Sequence, residues 1–407
     1  MEKTELQKYA RLIVREGIRV QKGQPVTIKS TLDQPEFTAM VVEECYLAGA
    51  SRVEVRWNYA PITRLHEKYK SDEELTNVPD WMIARAAYEA ETLPCRLNLR
   101  STDPDGAKGH DPSRGLIRSR ALSKATKAFS EKKAGKDQWS VVGVPNKAWA
   151  KKLFPDLEPD EAVEELWKLI LKVSRCEEDP EGAWREHNAN LDAKCDKLNS
   201  FNLRKVRMYA DNGTDLMLGL IPQSQFINAQ NTTPEGLRYN ADIPTEECYI
   251  TPNKWETEGI VYGALPWCWG GVVIENYWLR FHEGKMVDCG AEKHEDVLKA
   301  MLETDEGAAY LGELALVPWE SPVNQTGILF YDTLFDENAR CHLAMGRGFN
   351  VCIRDFGKYN AQDFRAMGIN ESTIHQDFMV GTRDMNIDGI TEDGQVIPIF
   401  RNGTWAF

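Results

Sequence analysis

Leu6, Tyr9, Ala10 and Ile13 recur at i, i+3, i+4 and i+7, the spacing of one helix face, before the chain reaches a turn at Lys22-Gly23. Val26 and Ile28 alternate with polar neighbours over 25–30, the period of a short strand. Asp33-Gln34-Pro35 opens a second helix with Phe37, Val41 and Tyr46 along one side, and Gly49 closes it. Alternation resumes over 52–57 with Val53 and Val55. Strand, helix and strand within about 35 residues predict a parallel βαβ unit. Leu93, Cys95, Leu97 and Leu99 mark another strand, and 140–144 a further one. Residues 160–176 read as a helix with Ala162, Leu166, Leu169, Ile170 and Val173 on one face. Asp160, Glu161 and Glu164 in its first turn complement the helix dipole. Neither GxGxxG nor a Walker sequence follows any of these strands, so nucleotide binding finds no support and this half reads as scaffold or lid.

A last helical pattern (Trp184, His187, Leu191, Leu198) leads into a different texture. Asp211-Asn212-Gly213 between 206–209 and 216–218 is a hairpin signal, and Glu283-Gly284-Lys285 separates a strand over 272–281 from 286–289. One helix, 292–303, interrupts these strands with Val297, Leu298, Met301 and Leu302. The expected architecture is therefore two domains. Residues 1–198 form an α/β N-terminal domain with parallel strands, and 199–407 form an α+β, largely antiparallel C-terminal domain. No internal repeat or low-complexity segment is visible.

Length agrees, since 407 residues exceed one ordinary core. A formal net charge of −14 argues against nucleic acid as partner. The local exception is basic, Arg114 to Lys136 with Arg118, Arg120, Lys124, Lys127, Lys132 and Lys133, and it reads first as a solvated helix face. The nine cysteines (45, 95, 176, 195, 248, 268, 289, 341 and 352) include no CxxC pair, which removes zinc-ribbon and thioredoxin-like readings. Met1-Glu2-Lys3-Thr4-Glu5 opens no apolar signal region and no run approaches a membrane span, so the expectation is a cytoplasmic protein with reduced thiols, no membrane partner and an intracellular substrate.

Candidate chemistry concentrates between Leu311 and Gly381. Glu313 sits among Leu311, Leu314, Ala315, Leu316 and Val317, and a carboxylate in so apolar a run is rarely buried unpaired. His375-x-Asp377 puts both side chains on one face of a strand, which suits two ligands of one metal or a buried histidine satisfied by its neighbour. Glu337 and His342 stand five residues apart around a turn. Glu246-Glu247 precedes Cys248-Tyr249-Ile250, too apolar for a freely exposed turn. Histidine and carboxylate donors without thiolates suit Zn²⁺, Mn²⁺, Co²⁺ or Fe²⁺. The other histidines, His66, His110, His187, His282 and His294, lie in polar surroundings and read as structural or surface residues. Trp255, Trp267, Trp269 and Trp278 read as core.

These blocks together carry a resemblance. Pro244-Thr245-Glu246-Glu247, Leu311-Gly312-Glu313, Asp336-Glu337-Asn338-Ala339 with His342, Ala344 and Gly346, Gly368-Ile369-Asn370-x-Ser372, and His375-x-Asp377-Phe378-Met379 resemble the M29 family of metallo-aminopeptidases, the thermophilic aminopeptidase group. The resemblance implies a homodimer that removes N-terminal residues from short peptides with water activated by two divalent metals, Zn, Co or Mn. It implies Glu247, Glu313, His342, His375 and Asp377 as ligands, Glu337 as a further ligand or neighbour, and Glu313 as the group that also helps activate water. Four carboxylates would then balance two dications. It also implies a catalytic tyrosine seven residues after His342, where this chain has Phe349. Two other readings remain open: a mononuclear iron ring-cleaving dioxygenase on the same fold, using His342, His375 and Asp377, and a family member with weakened or lost catalysis.

Overall fold

The computed structural model describes residues 2–106, 112–269 and 272–407. The chain divides into two compact units, Met1–Arg185 with Gln230–Pro244, and Glu186–Ala229 with Thr245–Phe407. The first is built on a five-stranded sheet in the order Arg52–Asn58, Pro25–Thr31, Cys95–Arg100, Trp139–Gly143, Asp242–Ile243, with every pair parallel. Val26, Ile28, Leu97, Leu99 and Val142 point to one face and are buried. Tyr9, Phe37 and Trp167, from the helices Lys3–Leu12, Pro35–Leu47 and Pro159–Val173, bring their rings to 5.0–6.2 Å of one another. Each fully buried side chain of this kind contributes about 1.5–3 kcal/mol.

The βαβ unit read from the alternation is therefore present, and the strands fall within a residue or two of expectation. Asp242–Ile243 is the surprise, because it returns to this sheet from beyond the single cut placed at 198. A two-residue strand leaves no alternation to read. The helices Ala60–Tyr69 and Asp80–Thr92 were also not anticipated. The first leaves its apolar side, Ile62, Leu65 and Tyr69, exposed, and the second buries only Ala90.

The second unit contains an eight-stranded and a four-stranded sheet. In the larger, the hairpin Leu203–Tyr209 and Asp215–Leu220 lies at the centre, as the Asn212-Gly213 turn predicts. The smaller runs Cys248–Ile250, Leu311–Leu316, His342–Gly346, His375–Met379, all antiparallel. Leu216 and Leu218 from the large sheet share one core with Leu314, Leu316, Leu343 and Phe378 from the small one and with Leu298 and Met301 of the helix Glu295–Leu302. The expected strand over 272–281 is instead two, Val272–Ile274 and Trp278–His282, because Asn276 adopts a left-handed φ of 49° that turns the chain between them. Of the four tryptophans expected in the core, Trp267 is buried and Trp255 is 48% exposed. His66, His282 and His294 are at the surface, and His110 lies outside the described residues. All nine cysteines are free thiols. Among the described residues no helix is long and apolar enough to cross a membrane.

Candidate metal centre

The four-stranded sheet puts its apolar residues on one face and its charged residues on the other. Leu314 pairs with Leu343, and Leu343 with Phe378, on the core side. One residue on, Glu313 stands opposite Ala344 and Ala344 opposite Asp377, while Ala315 stands opposite His342. Gly346 pairs with His375. Glu247 precedes the edge strand at the same parity as Tyr249, which faces Ala315. Strand alternation thus delivers Glu313, His342, His375 and Asp377 to one surface, and the turn before the edge strand adds Glu247. Glycines let the backbone close in beside the site: a Cβ on Gly312 would lie 2.4 Å from the Arg347 carbonyl oxygen, and one on Gly346, whose φ is +100°, 2.3 Å from that of Ile374.

Two ligand groups result. Glu247, Glu313 and His342 offer one, and Glu313, His375 and Asp377 the other, with the donor atoms of each group within 4.8 Å of one another. Glu313 belongs to both. His342 Nε2 lies 3.1 Å from Glu247 Oε2, and His375 Nε2 lies 3.1 Å from Glu313 Oε2 and 3.2 Å from Asp377 Oδ1. The far nitrogen of each ring is already committed. His342 Nδ1 is 3.3 Å from the Arg340 carbonyl oxygen and His375 Nδ1 is 2.6 Å from that of Arg347. A carbonyl only accepts, so each Nδ1 carries a proton, and each Nε2 donates to the carboxylates here and is the nitrogen whose lone pair would be free for an ion once that proton leaves. Oxygen and imidazole donors in this arrangement fit divalent ions of the Zn, Mn or Co type.

The electrostatics show how far the groups are coupled. Burial, reinforced by the charge of Glu247 and opposed by His375, raises the Glu313 carboxyl to about 7. Burial pushes the His342 imidazolium down, but Glu247 and the other carboxylates outweigh it and hold the ring at about 9. His375 is likewise raised well above the ordinary imidazole range, since Asp377 and Glu313 together overcome its burial. Asp377 is lowered by His375 despite its own burial.

Glu337 joins neither group. It is half-buried at the end of the short helix Thr333–Asp336. Two positioning residues were not singled out in the sequence. Asn338 accepts the Glu246 N–H on Oδ1 at 2.7 Å, and buried His187 meets the Thr245 carbonyl at 2.7 Å, so both hold the turn that presents Glu247. Asn338 lies inside a recognised block, whereas His187 is about 60 residues upstream with no local signal. The Phe349 ring sits 4.6 Å from that of His375 and 5.7 Å from that of Tyr249. Arg347 has an exposed side chain, and Tyr359 packs on Phe364 in a separate small cluster.

The sequence profile described as thermophilic metalloprotease (M29) matches residues 2–405. The chain belongs to the M29 family. Its M29 relatives include Aminopeptidase AmpS of Bacillus subtilis (strain 168), 40% identical over 404 residues that cover 99% of this chain and 98% of that protein. The solved structure of wild-type AmpT from Thermus thermophilus, 33% identical, superposes with a TM-score of 0.92 and full coverage (100%) of both chains. A 2,5-dihydroxypyridine dioxygenase from Pseudomonas putida KT2440 covers 99% of this chain and 96% of its own, at a TM-score of 0.56 and 10% identity, and shares the fold alone. The M29 membership read from the motif blocks therefore holds over nearly the whole chain.

Proposed function

We propose that this M29 metalloprotease is an aminopeptidase that removes N-terminal residues from short peptides, with two divalent ions held by Glu247, Glu313, His342, His375 and Asp377. The observation that carries this reading is Glu313, common to both ligand groups. A single ion does not need a carboxylate shared in this way. Bound ions of this kind supply a water of lowered pKa and an electrophile for the peptide carbonyl. Three carboxylates leave one of four positive charges unmatched, which favours an anionic nucleophile in a buried site.

The residues contribute separately. Asp377 and Glu313 draw His375 into place, and the Arg347 carbonyl fixes its tautomer. Glu247 does the same for His342 with the Arg340 carbonyl. Glu313, at the junction, is placed to accept the proton released by the attacking water. A carboxylate beside the ligand set would anchor the free ammonium of a peptide N-terminus, which would account for a preference for chain ends. An iron dioxygenase using His342, His375 and Asp377 would leave Glu247 and Glu313 without a role, and no feature of the site favours it.

The test is metal content with substrate choice. Two ions per chain and cleavage of free but not N-acetylated peptides are expected. One iron per chain, or efficient cleavage of the blocked peptide, overturns the reading.

A further inference from the structure

The parallel sheet of the first unit has an unusual second face. Helices normally cover a parallel sheet with apolar contacts on both sides. Here the register lines up Glu54 and Arg56 with Thr27 and Lys29, then with Arg96 and Asn98, then with Trp139 and Val141. The helices Asp80–Thr92 and Pro112–Lys133 bring Arg85, Glu89 and Lys133 over this face. Between them lies a cavity of about 340 Å³ that these residues line with Met82, Phe129 and Trp139.

Its charge is one-sided. Five cationic side chains (Lys29, Arg56, Arg85, Arg96 and Lys133) line it with one carboxylate, Glu89. Arg56 pairs with Glu89 at 2.6 Å and Glu54 at 2.7 Å, Lys133 reaches Glu89 at 3.7 Å, and Arg96 pairs with Asp137. Three carboxylates thus serve three of the cations. Among the described residues neither Lys29 nor Arg85 has a carboxylate partner, although Arg85 lies over the Trp81 ring at 5.0 Å. Lys29 and Lys133 are both held below the ordinary lysine range, first by burial and then by neighbouring cations such as Arg96, partly offset by Glu89. Lys29 is exposed and Arg85 half-buried, so solvent reaches both, but the excess of positive charge around one cavity still favours an anion there. The chain as a whole carries −14, so this concentration does not follow from composition.

We propose that this cavity binds a small dianion, its charged group a phosphate or a pair of carboxylates, between Lys29 and Arg85, with the body of the molecule against Phe129 and Trp139. The guanidinium fork of Arg85 matches either oxyanion, Lys29 supplies a point charge, and the apolar wall accepts a carbon skeleton. The volume suits a metabolite rather than a polymer. The site lies wholly within the first unit and does not depend on the metal centre.

The test is calorimetric titration of the intact, metal-loaded protein with inorganic phosphate and, separately, succinate, at ionic strength held constant with NaCl. Saturable binding of at least one dianion is expected. Lys29→Met and Arg85→Gln should each weaken it by at least about tenfold, the loss of one charge-assisted contact, while Lys29→Arg retains it. Phosphate alone binding would assign a phosphate ester, and succinate alone a dicarboxylate. The absence of saturable binding for both overturns the proposal. So does binding that Lys29→Met and Arg85→Gln leave unchanged, because the anion then sits elsewhere, the metal centre included.

Discussion

The small sheet of the second unit and the parallel sheet of the first spend their two faces alike. Each buries an apolar face (Leu314, Leu316, Leu343 and Phe378 in one, Val26, Ile28, Leu97 and Val142 in the other) and turns charged residues the opposite way. They differ in what the charges do next. On the small sheet, carboxylates and imidazoles converge until donor atoms lie within 4.8 Å of one another. On the parallel sheet, cations stand around an open volume of about 340 Å³ and most are already paired. Converging oxygen and nitrogen donors fit a bare cation, whereas spaced cations around a cavity fit a larger anion. The apolar face makes the sheet fold, and the spacing of charge on the other face sets the size and sign of its guest.

The largest effect expected from breaking this contrast is metal removal. Dialysis against EDTA should abolish peptidase activity, with Zn²⁺, Co²⁺ or Mn²⁺ restoring it, and should lower Tm, because a ligand that binds only the folded state stabilises it. Peptidase activity that survives in verified metal-free protein would show that the converging face is not the site. Anion binding by the first unit should survive the same treatment.

Next in size are the ligand variants. Glu313→Gln should keep the fold and lower kcat by on the order of 10²–10⁴, since the amide accepts no proton. It should also weaken both ions, whereas His342→Ala and His375→Ala should each release mainly the ion of their own group. Metal analysis of the three purified variants separates these outcomes. Equal loss of a single ion in all three would remove Glu313 from its shared position.

A smaller effect is expected at Phe349, whose ring contacts His375 where the family resemblance implies a tyrosine. Phe349→Tyr should raise kcat at least about tenfold with little change in KM, the pattern of a contact made only in the transition state. An unchanged or reduced kcat in the fully metallated variant would show that another group serves the oxyanion. Tyr249→Phe is then the informative second variant, since Tyr249 is the phenol in ring contact with Phe349.

The smallest effect belongs to the cationic face. Lys29 titrates below its unfolded value because of burial and the charges of Arg96, Arg56 and Arg85, against Glu89. Below its folded pKa the fold bears the full cost of holding this cation among its neighbours, and that cost fades as pH rises through the folded value toward the unfolded one near 10.4. In anion-free buffer, wild type should therefore gain stability relative to Lys29→Met between pH 7 and pH 10, by a small amount because solvent screens the exposed Lys29. Denaturant midpoints at the two pH values measure it, and a difference that does not change with pH removes Lys29 from the uncompensated set.

Much of this was legible along the chain. Alternation located strands such as Pro25–Thr31, where Val26 and Ile28 are buried, because a period of two records a two-sided environment, but it passed over Asn386–Thr391. The motif blocks named all five residues that now share one surface. Elements that bury little went unread, including the unburied helix Ala60–Tyr69 and the two-residue strand Asp242–Ile243. Tertiary structure alone decided the rest. It placed Glu313 in both candidate ligand groups, which do not include Glu337. It also turned Lys29, Arg85 and Lys133, scattered over about 100 residues and partly within a stretch that reads as a solvated helix face, into the lining of one cavity. Local sequence fixes which way a side chain points from its own strand or helix, but convergence depends on which strands become neighbours, and pairing at long separation is written in no single segment.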